Sequence, residues 1–362
     1  MPSAASAAPD LTRCDAFWAR AEADRPLIAT RVGGWTSEDH YPRGLATLPN
    51  GPLQPRDIDL EVFRQDYEAL LASHAATGAD VPWAAFPLFP LPWLEAIAGC
   101  PIQHRDGAIW AGHPWDSYER LAEGFELRPG NPWLDRLLEF TAWLVRLADG
   151  RFPVALSLMR GPADLLSALR GPQQMVFDLY DQPERVDLAL ERLTWFWTQV
   201  AEAQLAMIPP FHGGHAFSVI NLWARQPGGW FQDDAIALWS PPFYRRHLRS
   251  HEECLSRSMA VTGIHLHSGT LFSLDALLEM PDLDVIEINV DLNGPSVADL
   301  IPHFRRALER KCLVVWGEFS AADYGLMAHH LPARGLALQV MAPTPELAVA
   351  SIRELKRAWG AA

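Results

Sequence analysis

The 362-residue chain is short of cysteine, positive charge and long apolar runs. Its four cysteines, Cys14, Cys100, Cys254 and Cys312, form no CxxC pair and no dense framework. That excludes a disulfide scaffold, and free thiols in a reducing cytoplasm are the expectation. Thirty Lys and Arg face 44 Asp and Glu, a formal net charge of −14. Such a balance repels nucleic acid and anionic membrane surfaces, so neither is expected as a partner. No apolar run reaches the ~18 residues of a membrane span. The start, MPSAASAAPDLTR, has no basic segment followed by an apolar block, so no signal peptide is expected. A P-loop, a GxGxxG turn, a G-x-S-x-G elbow and an HExxH helix are all missing. Kinase, dinucleotide dehydrogenase, serine hydrolase and zincin readings lose their best support with them.

What is abundant is tryptophan, with 15 residues, and proline, with 30. A tryptophan excess builds either a large aromatic core or a pocket for a flat, cationic or sugar-like ligand. At about 150 residues per domain the length suggests two domains, but α/β barrels exceed 250 residues as one unit. Runs with strand character alternate with helical runs, the pattern of an α/β fold with parallel strands. Eight strands are expected: Leu27–Val32, Val81–Phe86, Pro153–Met159, Phe217–Trp223, Val261–His267, Asp284–Val290, Leu313–Gly317 and Gly335–Met341. Helices are expected over Asp57–His74, Asp187–Met207 and Glu346–Trp359, the last opened by Thr344 as N-cap and Pro345 at the first turn. Eight such units predict a (β/α)8 TIM barrel over residues 25–362, preceded by an N-terminal extension over 1–24 whose first twelve residues fray. The Pro- and Trp-rich stretch Pro82–Gly130 is too long for one unit and reads as an insertion carrying a hairpin at Ile102–Ala111.

Barrel chemistry sits at the C-terminal ends of strands, where residues two apart share a face. His265 and His267 stand at i and i+2 in VTGIHLHSGT, so both can enter the mouth. Two such imidazoles can hold a metal, or they can be hydrogen-bonded pocket residues. On the next strand Glu287, Asn289 and Asp291 share one face, and polar residues there need partners or a ligand. Asp291 also fits a solvated strand end. Trp316 and Glu318 share a face on the strand after that. Trp223 and Arg225 follow the expected fourth strand and can line a pocket, with Gly228-Gly229 as a flexible loop. Asp233 and Asp234 precede a helical run, so helix capping is their expected role. Arg31 and Arg160, at the ends of the first and third strands, can anchor an anion or form surface ion pairs. His212 and His215 in FHGGH read as a mobile turn.

Five segments occur in an order that resembles the uroporphyrinogen decarboxylase superfamily: RFPVALSLMRGPADLL, DDAIALWSPPFYRRHL, GIHLHSGT with LLEMPDLDVIEINVD, VVWGEFS and APTPELAVASIRELK. The resemblance spans about residues 25–360 and implies a (β/α)8 barrel with its site at the mouth. In the decarboxylase branch an acid ends the second strand; here that strand ends Ala84-Ala85-Phe86-Pro87, although Arg31 matches the first arginine of that branch. The methyltransferase branch implies a zinc site on a His-x-Cys pair. His265 matches the histidine, His267 replaces the cysteine, Asn289 falls at a glutamate position beside Glu287, and Leu338 or Gln339 falls at the late cysteine. Such an N/O set suits a divalent metal, zinc first, but also iron, manganese or nickel.

The leading expectation is therefore metal-assisted methyl or alkyl transfer, or cleavage, on a small substrate. The metal would sit on His265, His267 and Glu287, with Glu287 or Glu318 moving protons. Arg31, Arg160 or Arg225 would position an anionic group; Trp83, Trp223 and Trp316 would wall the pocket; Asn289 and Gln339 would touch substrate. A thiol or a corrinoid serves as cosubstrate in this reading, with a corrinoid protein as partner, and a homodimer is admitted. A metal-free decarboxylase and a non-catalytic ligand-binding barrel are the alternatives.

Overall fold

The computed structural model describes residues 9–34, 37–89, 91–122, 127 and 129–361. Its centre is a curled sheet of six parallel strands. Strand β1 spans Leu27–Val32; β7, Gly228–Gln232; β8, Val261–Leu266; β9, Val285–Asn289; β10, Cys312–Gly317; and β11, Leu336–Ala342. They lie in the order β1-β11-β10-β9-β8-β7. Alternation sorts each strand between two cores. Ile28, Ile264, Leu266, Ile286, Ile288, Leu313, Val315, Leu338 and Val340 face the helices on the convex side. Leu27, Ala29, Trp230, Val285, Val314, Trp316, Ala337 and Met341 face inward on the concave side.

Five of the expected strands join this sheet within a residue or two of their expected bounds. The stretches Val81–Phe86 and Pro153–Met159 run between its edges without forming a ladder. Asp80 and Val81 donate from their backbone N–H to Ile28 O at 2.9 and 3.3 Å; Ala85 and Ala155 exchange bonds with Pro153 O and Ala85 O; and Gly161 donates to Gln232 O at 2.6 Å. Single bridges join Ala85 to Val154 and Arg160 to Gln232. Pro82, Pro87 and Pro153 lack the N–H groups a full ladder needs. Regular pairing thus stops at six strands, where eight were expected.

The expected fourth strand, Phe217–Trp223, is absent. Its residues make an antiparallel hairpin, β5 (His215–Phe217) with β6 (Leu222–Ala224). The sheet strand in that place is β7, whose Gly228-Gly229 had the look of a flexible loop. These glycines are demanded by close packing: a Cβ on Gly228 would lie 2.0 Å from Val261 O, and one on Gly229 would lie 2.9 Å from Leu156 Cδ1.

The helices follow their caps. Asn131 Oδ1 accepts from the N–H groups of Trp133 and Leu134 to open Pro132–Ala148. Thr344 opens Pro345–Ala358 as expected, and capping boxes Ser296/Asp299 and Ser320/Asp323 open Val297–Arg310 and Ala321–His330. The expected helix at Asp57–His74 is regular only over Arg64–Ala75, after two short 3-10 turns. A small antiparallel sheet pairs β2 (Gly51–Leu53) with β3 (Ile102–Arg105) and β3 with β4 (Ala108–Ala111), the hairpin expected there. The fraying expected of the first residues falls mostly outside the described range. Among the described residues no helix is long and apolar enough to cross a membrane.

Candidate metal centre

Strand register sets the site in two rows. Gln232 pairs with His265 and His265 with Glu287. Two residues further on come Asp234 and His267, past their strand ends, and Asn289, the last residue of β9. Asp234, His267 and His265 offer ligand atoms that all lie within 4.8 Å of one another. Among the described residues they are the one such group of three.

Both imidazoles are held from behind. His265 Nδ1 bonds Glu287 Oε2, and His267 Nδ1 bonds Asp291 Oδ1. Each carboxylate accepts a hydrogen bond from Nδ1–H and leaves Nε2 as the nitrogen that can face a ligand, an arrangement common behind metal-bound histidines. Asp291 also accepts from Ser268 N and Oγ at 2.9 and 2.6 Å and from Asn289 Nδ2 at 2.8 Å. Burial pushes its carboxyl up, but the bonds from Ser268 and His267 outweigh burial and hold it below the ordinary value. Burial pulls His265 down; the Glu287 charge and hydrogen bond, with Asp234 and Asp291 behind them, carry it net up to about 9.

His265 is buried between the rings of Trp230 and Trp316, each at 5.8 Å and edge-on. The His267 side chain is 39% exposed, so the cluster is reachable from solvent. Asp234 Oδ2 accepts from Gln232 Nε2 at 2.6 Å and lies 3.8 Å from His267 Nε2. Its Oδ1 is buried with no hydrogen-bond partner among the described residues. Two imidazole nitrogens and a carboxylate with an unused buried oxygen fit a divalent cation of the zinc, iron, manganese or nickel class.

Asp234 was expected to cap a helix, and it is the residue the sequence reading missed. Asp233 makes no side-chain cap to the turn that follows it either; its Oδ1 accepts instead from the N–H groups of Ala163 and Asp164, at the start of a different helix, Pro162–Arg170. Glu287, expected as a ligand, is fully buried behind His265 and turned to its Nδ1. Glu318 is exposed on the loop directly after β10. Arg160 Nη1 is paired with the buried Glu95 at 3.1 Å. Beside it, burial and then the Asp234 charge push the Asp164 carboxyl up to about 7.

Trp223 and Arg225 belong to the hairpin rather than to the mouth. Trp223 is fully buried, Trp18 Nε1 donates to its carbonyl, and Arg225 is exposed and paired with Asp15 of the N-terminal helix at 2.6 Å. Gln339 is buried and donates to Val219 O at 2.5 Å. Trp83 stacks on His74 at 5.7 Å. Arg31 is 7% exposed, has no ion pair among the described residues, and its Nε is buried without a hydrogen-bond partner among them. Burial pulls its guanidinium down to about 10, which leaves it charged at neutral pH. Trp316 lies edge-on to His265 and 5.4 Å from Arg31 Cζ.

No family model and no curated protein matches this chain. Among solved structures, it is similar to a methyltransferase from Methanosarcina mazei. The TM-score is 0.62 at 17% identity, over 96% of this chain and 97% of that one. At that identity the likeness establishes the fold alone.

Proposed function

We propose that the protein is a metal-dependent enzyme that transfers a methyl or alkyl group between small substrates. In this reading the curled sheet, with Val81–Phe86 and Pro153–Met159 as its remaining staves, is a (β/α)8 barrel of the uroporphyrinogen decarboxylase superfamily, methyltransferase branch. One observation carries it: Asp234, His265 and His267 converge at the C-terminal strand ends, with both histidines fixed to present Nε2. The likeness to a methanogen methyltransferase supports the same reaction class.

A bound divalent ion, zinc first, would supply a Lewis acid that lowers the pKa of a coordinated acceptor thiol. The chain's own residues do the rest. Glu287 and Asp291 hold the imidazole planes. Trp230 and Trp316 keep water from His265. Asn289, whose Oδ1 is buried without a partner among the described residues, faces the same rim and can orient substrate. Arg31, buried and still charged, is the seat for an anionic group of the substrate. In the transfer itself the acceptor sulfur forms a bond to the methyl carbon. The donor leaves with the electron pair of the bond that breaks, and the thiol proton passes to solvent.

Cobalt(II) titration followed by a small alkyl thiol tests this. Visible cobalt bands should appear on metal addition, and a sulfur-to-cobalt charge-transfer band on thiol addition. Cobalt bands without any response to thiol would remove the thiol from the reaction.

A further inference from the structure

The β5–β6 hairpin stands on the concave side of the sheet. Phe217, Val219, Ile220 and Leu222 belong to the inner core together with Ala29, Ala337 and Trp316. Its tip, Ser218–Asn221, is buried throughout. Three side-chain bonds tie it there: Trp230 Nε1 donates to Ser218 Oγ at 3.2 Å, Gln339 Nε2 to Val219 O at 2.5 Å, and Asn221 Nδ2 to Thr30 O at 2.6 Å. Strand side chains alone usually fill such a lumen. Here the small inner residues Ala29 and Ala337 pack in one cluster with the tip. Val219 takes a φ of +55° and Asn221 of +44°. For a β-branched residue that conformation is rare, and it persists only where surroundings impose it.

Val219 and Asn221 also line a cavity of about 30 Å³ that contains Arg31, Trp83, Phe86 and Phe89. That volume holds one or two water-sized groups. The Arg31 guanidinium lies over the ring of Phe89 at 4.8 Å and of Trp316 at 5.4 Å. Aromatic cover on the guanidinium leaves its in-plane N–H edge for a ligand, and that edge matches a planar carboxylate in a bidentate fork.

We infer that Val219 is a specificity-determining residue, the floor of an Arg31 anion seat that admits a planar carboxylate and excludes tetrahedral sulfonate or phosphonate groups. The inference rests on the mouth being a substrate site. The third oxygen of a tetrahedral group projects out of the guanidinium plane and needs more room than a planar carboxylate, in a small cavity whose wall Val219 shares with Arg31.

The test titrates acetate, methanesulfonate and methylphosphonate at constant ionic strength, followed by tryptophan fluorescence, since Trp316 and Trp83 adjoin Arg31. The native protein should prefer acetate over methanesulfonate by about tenfold or more, the scale of a steric mismatch in a pocket. Val219→Gly accepts the positive φ, which offsets part of the lost packing, and should fold with a modestly lowered Tm. It should bring the two anions within about threefold by tightening methanesulfonate, a gain on the scale that small steric changes in pockets produce. Arg31→Gln should abolish binding of all three. An unchanged ratio in Val219→Gly, a native preference for the tetrahedral anions, no acetate binding, or acetate binding that survives Arg31→Gln would each overturn the inference. Metal content on the same preparations keeps the two readings apart. A metal-free protein with the predicted anion ratios fails the metal reading alone. A metal-loaded protein with unaltered ratios in Val219→Gly fails the anion seat alone.

Discussion

A histidine is a well-defined ligand when its second nitrogen is already committed. Glu287 and Asp291 supply that commitment here, one behind each imidazole. Glu287→Gln should therefore weaken metal affinity by about 10–100-fold while leaving the stoichiometry unchanged, as read by competitive chelator titration. Loss of stoichiometry would instead place Glu287 among the ligands. The histidine pair was legible in the sequence because a strand alternates and HLH repeats at two. Asp234 was not legible, because its role depends on where the fourth strand lies. Once Gln232 is paired with His265, Asp234 falls beside His267 by register. With that strand placed at Phe217–Trp223, Asp234 fell too far beyond its end to reach the rim, and capping was the natural reading.

At the scale of elements, the misread hairpin has a physical origin. SVINLW has strand composition, but Trp230, Gln339 and Asn221 bend it into the lumen through long-range bonds that no local pattern reveals. Gly228-Gly229 reads as a break locally, while Val261 and Leu156 require it as a strand. The helix Arg249–Arg257 carries a second element-scale consequence. Glu252 is fully buried and accepts a 2.5 Å hydrogen bond from Tyr244. Burial pushes its carboxyl up to about 8, against the Tyr244 bond and the Arg249 charge. The folded state then holds a proton that the unfolded chain, near 4.5, has released. Stability must fall as pH rises through that window, because the native state binds more protons there. Glu252→Gln keeps the neutral form, so the drop in Tm between pH 6 and pH 9 should shrink in that variant. An identical drop in both proteins would show that Glu252 ionises freely in the fold. Asp233, pushed the same way by burial and then by Glu252 and Asp164, retains part of the slope.

Over the whole molecule, most of the tryptophan excess is packing. Trp93, Trp143 and Trp197 sit in the outer core, and Trp195 is half exposed on its helix. Trp230 and Trp316 are the two that wall the buried histidine, with Trp83 beside the Arg31 cavity. The α/β organisation and the parallel order were readable from periodicity. The outer side of each strand is apolar almost without exception, and that pattern survives any local irregularity. The halt of regular pairing at six strands was not readable, since it turns on prolines in Val81–Phe86 and Pro153–Met159 and on a hairpin whose Asn221 takes Thr30 O. The negative charge stays mainly on the surface, while Asp66, Glu95, Asp164, Asp178, Asp233, Glu252 and Glu287 are the acids drawn inside among the described residues. The central claim is that three of the mouth residues hold one ion. Elemental analysis of the purified protein should find about one divalent metal per chain, the occupancy of a three-ligand site that keeps a position open for substrate. The double variant His265→Ala, His267→Ala should lose it while its circular dichroism stays native. Native protein that takes up no metal from a buffered zinc or cobalt solution, or a double variant that keeps its full complement, would contradict the account.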